Sequence, residues 1–236
     1  MKRFTFILSI LMVLEFTSLC NATLWDRECG LIYDDVLNIT WLQDANYAYH
    51  SGYHWSGWMT WEEAKEWAAQ LVFAGYDDWR LPYAGPINGN TYNDNRSDNG
   101  STDFGYNISA PGTIYSGSPV NEMAYMYYNN LGNLSPYYAD GSSGQPYSGL
   151  FNVGPFSNTI QDRYWSGTPY APNPSQGWYF AFCDGYQGNF DNDRHYAWAV
   201  RDGDVADHHC VPEPTSILFL GFGLVGLIRF RRNFPK

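Results

Sequence analysis

The chain has 236 residues, of which 24 are acidic and 13 basic, for a formal net charge of −11, and 19% of them are aromatic. Between Thr23 and Pro212 there are seven basic and 22 acidic residues, a net of −15. A field of that sign excludes nucleic acid and sulfated or phosphorylated polymers as partners, and leaves neutral ligands and cations. The abundance of Gly, Asn, Asp, Ser and Tyr also argues against long helices.

The first element is a secretion signal over residues 1–22. Lys2 and Arg3 precede an apolar run from Phe4 to Leu14, and small polar residues end at Cys20-Asn21-Ala22. This is the charged, apolar and small-residue order of a cleavable signal, with the cut after Ala22. Leu19 directly before Cys20 does not fit a lipoprotein signal. Residues 23–210 then form the body, enough for one domain with its own core.

The body opens on a hairpin. Leu31-Ile32-Tyr33-Asp34 and Ile39-Thr40-Trp41-Leu42 are β-prone, and Asp34, Asp35 and Asn38 supply the turn. Gly52 to Trp58 is an aromatic loop. Thr60-Trp61-Glu62-Glu63 is a capping box, so a helix starts at Trp61. Trp61, Ala64, Trp67, Ala68, Leu71 and Val72 share its apolar face, with Gly75 as the expected C-cap. Tyr83 to Gly117 has almost no apolar periodicity and reads as a long surface insertion. A second helix is expected from Ser118-Pro119, with Val120, Met123, Ala124, Tyr127 and Leu131 on one face and Gly132 as its stop. Loop returns from Ser135 to Asn158. The remainder is β-like: Tyr164 to Gly167, Gly177 to Cys183 and Tyr196 to Arg201. This order predicts an α+β domain with a mainly antiparallel sheet.

The last 26 residues form a tail, 211–236. Pro212-Glu213-Pro214 precedes an apolar run from Ile217 to Ile228 that contains Gly221, Gly223 and Gly226. Arg229, Arg231, Arg232 and Lys236 follow. The run is about half the usual length of a full span, and the flanking arginines can snorkel. It is expected to act as a short transmembrane helix with its basic end in the cytoplasm and the body outside.

Trp41, Trp61, Trp67, Trp79, Trp165 and Trp198 lie in or beside regular elements and are expected in the core. Trp55, Trp58, Tyr92, Tyr106, Tyr137 and Tyr138 lie in loops, where aromatic rings stack on sugar faces or pin the loop itself. Of these, Trp55, Trp58, Tyr137 and Tyr138 are taken as the candidate ligand-binding set. Asp184, Asp191, Asn192 and Asp193 form an oxygen-rich loop suited to Ca²⁺. They lack EF-hand spacing, and a solvated β-turn is the competing reading. His208-His209, with Asp207 and Cys210, could bind a transition metal, but they lack a second ligand cluster and read as a linker to the tail. No nucleophile elbow, zinc-protease motif or phosphate loop is present, so no catalytic residue is assigned.

Two resemblances follow from these phrases. Pro212-Glu213-Pro214, the glycine-bearing apolar run and the arginine cluster resemble the PEP-CTERM sorting signal. That resemblance implies an exosortase as partner, cleavage near the triplet, and a cell that builds an exopolysaccharide matrix. The body resembles the Lcl C-terminal (DUF1566) domain family. The phrases concerned are Gly30 to Asp34, Thr40-Trp41-Leu42, Thr60 to Ala64, Trp79-Arg80-Leu81-Pro82, Glu122-Met123, Tyr164 to Gly167 and Ala197 to Arg201. This family is similar to C-type lectin-like folds: two helices and long loops around a small twisted antiparallel sheet whose first and last strands pair. The Glu-Pro-Asn and Trp-Asn-Asp motifs of calcium-dependent sugar sites are absent, so that chemistry does not carry over. If the terminal strands pair, Cys29 and Cys210 come to the same end and form a disulfide that leaves Cys183 unpaired; Cys183–Cys210 is the rival pairing. The expected function is that of an exported surface or extracellular-matrix binding protein recognising a glycan or a surface partner. A polysaccharide-acting enzyme and a structural matrix protein with no discrete ligand are the alternatives.

Overall fold

The computed structural model describes residues 23–190 and 193–206. In chain order the elements are β1 (Leu24–Asp26), β2 (Leu31–Asp34), β3 (Ile39–Leu42), α1 (Tyr47–His50), α2 (Trp61–Gln70), β4 (Arg96–Ser97) and β5 (Phe104–Gly105). Then come α3 (Glu122–Tyr125), a π-helical turn (Met126–Asn130), β6 (Arg163–Tyr170), β7 (Asn173–Ala181), β8 (Tyr186–Phe190) and β9 (Val200–Asp202). The architecture is mixed α/β, dominated by sheet. Instead of one sheet there are two open ones, in the orders β1-β2-β3-β9 and β4-β5-β8-β7-β6.

The first hairpin forms as its sequence predicts, with Leu31 opposite Leu42 and Asp34 opposite Ile39. The Asp34 carboxylate accepts from the amides of Val36 and Leu37 at 3.1 and 3.0 Å, and Asn38 takes the left-handed conformation that closes the turn. The last strand does not pair with the first. β9 lies against β3, with Thr40 opposite Arg201, and β1 occupies the far edge.

α2 starts where its capping box places it. Thr60 Oγ1 accepts from the Glu63 amide, and the Thr60 amide donates to Glu63 Oε2 at 2.8 Å. Its end differs from expectation. The backbone turns extended at Leu71, whose side chain is buried, while Val72 is exposed. Gly75 is not a helix cap: Ala74 and Gly75, both at positive φ, form the two-residue turn of a small hairpin in which Phe73 and Tyr76 exchange both backbone hydrogen bonds. The second helix begins at Glu122 rather than Ser118 and widens into the π turn at Met126. Its expected apolar face is nevertheless buried at Met123, Ala124, Tyr127 and Leu131.

Residues 83–117 are not a surface insertion. They contribute β4 and β5 to the second sheet and bury Ile87, Ile108 and Ala110. A buried carboxylate organises them: Asp103 accepts from the amides of Ile87 and Asn93. Burial raises this group above its ordinary value, against the lowering effect of the two amides.

Indole N–H groups pin the core to backbone carbonyls. Trp198 donates to Leu42, Trp165 to Met59 and Trp61 to Ser166, at 2.7 to 2.8 Å. Around Trp198 the rings of Trp41 and Phe156 pack edge-on at 4.9 and 4.7 Å.

Candidate functional site

Seven of the ten tryptophans are buried; Trp55 and Trp58 are 84% and 48% exposed. Their loop is nevertheless held. The His54 amide donates to the Ala48 carbonyl, and Met59 and His195 exchange backbone hydrogen bonds at 2.9 Å. Gly57, at positive φ, packs so closely on Asn46 that a Cβ there would collide with the Asn46 side chain. Short side chains stitch the turn: the Trp58 amide donates to Ser56 Oγ, and the Ser56 amide to His54 Nδ1. A fixed loop thus holds two indoles out to water. Leaving such rings unburied forgoes the core stabilisation the other seven obtain.

Tyr137 and Tyr138 belong to a different region. The side-chain Nδ2 of buried Asn107 donates to the carbonyls of both, at 3.0 Å. The Tyr137 ring packs on Tyr106 at 4.9 Å, and Tyr138 is 43% exposed. Among the described residues no ring contact joins this pair to Trp55 or Trp58. Two other loop aromatics are committed internally. Tyr92 donates to the Ala84 carbonyl and stacks on Trp178; Tyr106 donates to Asp184 Oδ2.

Of the acidic loop, Asp184 and Asp193 lie among the described residues. Asp184 accepts from the Tyr106 hydroxyl and the Tyr186 amide, and Asp193 lies 3.9 Å from Arg163. Asp191 and Asn192 lie outside the described residues. Among the described residues no group of three or more His, Cys, Asp or Glu side chains is placed to hold a metal ion.

A cleft of about 460 Å³ opens between α2 and the Trp79–Tyr83 segment. Ala68, Ala69, Trp79, Leu81 and Gly167 line it, with Lys65, Arg80, Tyr83 and Glu122. Arg80 uses all five of its N–H donors: two bonds reach Glu122, two reach Asp202 and one reaches the Leu81 carbonyl. Burial opposes its charge, but the two carboxylates outweigh that and hold it firmly protonated. Glu122 Oε2 also accepts from the Tyr83 amide. With every donor occupied, Arg80 clamps β9, α3 and its own segment together and has none left for a ligand. Arg80 and Glu122 stand in phrases visible in the sequence, Asp202 in none, and their convergence was not visible there.

Cys29 is disulfide-bonded and Cys183 is a free thiol. Desolvation and the adjacent Asp184 push the Cys183 thiol up to about 11. Cys210 and the triplet Pro212, Glu213, Pro214 lie outside the described residues, as does the apolar run of the tail. Among the described residues no helix is long and apolar enough to cross a membrane.

These features define a sheet-rich mixed α/β domain with one rigid aromatic loop and one half-exposed tyrosine cluster. The chain belongs to the Lcl C-terminal domain family, whose model matches residues 30–201. The PEP-CTERM protein-sorting motif matches residues 211–232 and implies export, exosortase processing and membrane anchoring by the tail. No curated protein and no solved structure matches the chain.

Proposed function

We propose that the body is a non-enzymatic binding module of the cell surface or extracellular matrix, which holds a neutral glycan or a partner surface against its exposed loop aromatics. One observation carries this reading: Trp55, 84% exposed, sits on a loop fixed at both ends within a protein that buries seven other tryptophans. The net charge of the body disfavours polyanions, and the sorting motif supports an exported protein anchored by its tail. A C-type lectin-like scaffold is consistent with β9 returning beside the N-terminal hairpin and with the long ordered loops. The same reading assigns no covalent chemistry and no obligatory cofactor.

A glycan array probed with and without Ca²⁺ tests this. Binding to neutral glycans in both conditions is expected. Binding only with Ca²⁺ would move the site to the acidic loop. Release of reducing ends from purified exopolysaccharide would make the protein an enzyme.

A further inference from the structure

Alternation along the strands sorts the second sheet into two faces. Phe180 and Phe182 pack into the core with Tyr127 and Trp198. The opposite face carries Trp165 and Arg163 from β6, Tyr179 from β7, and Tyr186 from β8, in the register Trp165–Tyr179–Gly188. At one end His195 covers this face, its ring 4.2 Å from Trp165 and 4.9 Å from Tyr179. At the other end the face opens. Tyr186 lies 6.3 Å from Tyr179 and 5.0 Å from Tyr106, and Tyr106 lies 4.9 Å from Tyr137. Tyr186, Tyr106 and Tyr137 are each half-buried. They therefore form a continuous row of half-buried rings, in which the Tyr106 hydroxyl is held by Asp184 and the exposed ring parts face outwards.

Two arginines border the row. Arg163 stands 5.4 Å over Tyr179, and Arg96 stands 5.9 Å over Tyr106 while its Nη2 reaches the Tyr137 hydroxyl at 3.5 Å. Each has a carboxylate beside it, Asp193 at 3.9 Å and Asp98 at 2.9 Å. The row thus has no excess of positive charge with which to hold a polyanion. It offers apolar ring surface for C–H groups, and paired donors and acceptors for hydroxyls.

We propose that this row, Tyr186–Tyr106–Tyr137 with Arg96 and Arg163, is a second binding surface that takes the interior of a neutral polysaccharide chain. It rests on the reading above that the ligand is a neutral glycan. Consecutive half-buried rings present several weak contacts in line, so a chain crossing their exposed parts is held by their sum and a single sugar is not.

Native electrophoresis of the exported protein through gels containing hydroxyethyl cellulose, galactomannan or heparin tests this. The variants are Tyr186→Ala, the rim substitutions Tyr137→Ala and Arg96→Ala, and the loop pair Trp55→Ala/Trp58→Ala. Near-UV circular dichroism checks the fold of each. Retardation by at least one neutral polymer is expected, with apparent affinity about fivefold lower for each ring removed. Tyr137→Ala and Arg96→Ala keep the test decisive if Tyr186→Ala does not fold. If only the loop pair loses retardation, the row is not a site and the loop reading stands. If only the row variants lose it, the row stands and the loop reading falls. Retardation by heparin alone, or by no polymer, overturns the inference; retained binding to native matrix in that case leaves the loop reading intact.

Discussion

Arg80 and Glu122, 42 residues apart in sequence, form a two-pronged ion pair with both N···O distances at 2.8 Å. The pair ties α3 to the segment entering the second half of the fold, and Asp202 extends it to β9. Glu122→Gln removes the less exposed of the two carboxylates that neutralise a partly buried guanidinium and leaves Asp202. The cost should be about 2 kcal/mol, below the ~3–5 kcal/mol of a fully buried pair because Arg80 remains partly solvated. Arg80→Lys should also lower stability, since an ammonium cannot make five bonds in a planar fork. Urea unfolding of both variants measures this.

His195 sets an acid limit. It is buried, Nε2 has no partner, and desolvation first and Arg163 second lower it from an ordinary 6.5 to about 4. Above pH 6.5 the ring is neutral in both states and contributes no pH dependence. As pH falls from 6.5 towards 4 the unfolded chain takes up a proton that the folded chain refuses, so stability is lost, by up to about 3 kcal/mol. Asp34 and Asp103, both raised by burial, act with the opposite sign and offset part of the loss at the acidic end. His195→Gln should flatten the dependence of Tm on pH between 6.5 and 4. An unchanged slope would assign the loss to other groups.

Cys29 has a disulfide partner, and Arg27 forms a bidentate pair with Asp204 at 2.7 and 2.8 Å, drawing the two ends of the body together. The expected bond is Cys29–Cys210. It closes a loop of about 180 residues and contributes roughly 3–5 kcal/mol in the chain-entropy model. Peptide mapping in denaturant without reductant should find that bond, with Cys183 alkylated. A Cys183–Cys210 peptide would contradict it.

Processing is expected to leave a mature chain beginning at Thr23 and ending near Pro212. The intact mass of the released protein decides this. Retention of Arg231 and Arg232 on an extracellular form would contradict the role of the tail.

What the sequence discloses and what it hides divide by range. The Thr60 capping box and the Asp34–Asn38 turn work within a few residues, and both were legible. Gly75 was legible as a positive-φ position but not as a hairpin turn, because the C-cap and the turn make the same demand of the backbone. The order of the 83–117 segment is not legible in sequence because it depends on Asp103, whose carboxylate looks solvated in sequence and is buried in the fold. The π turn has no local signature. The exposure of Trp55 and the row joining Tyr186 to Tyr137 depend on what long-range packing covers, which spacing along the chain does not report.

The most direct test of the binding account is the adhesion of purified body to native extracellular matrix, compared between wild type and Trp55→Ala/Trp58→Ala. Both side chains project from a loop whose backbone contacts survive truncation, so the double variant should keep its Tm while its affinity falls by about thirtyfold, at roughly 1 kcal/mol of stacking per ring. Equal binding by a fully folded double variant would contradict the account.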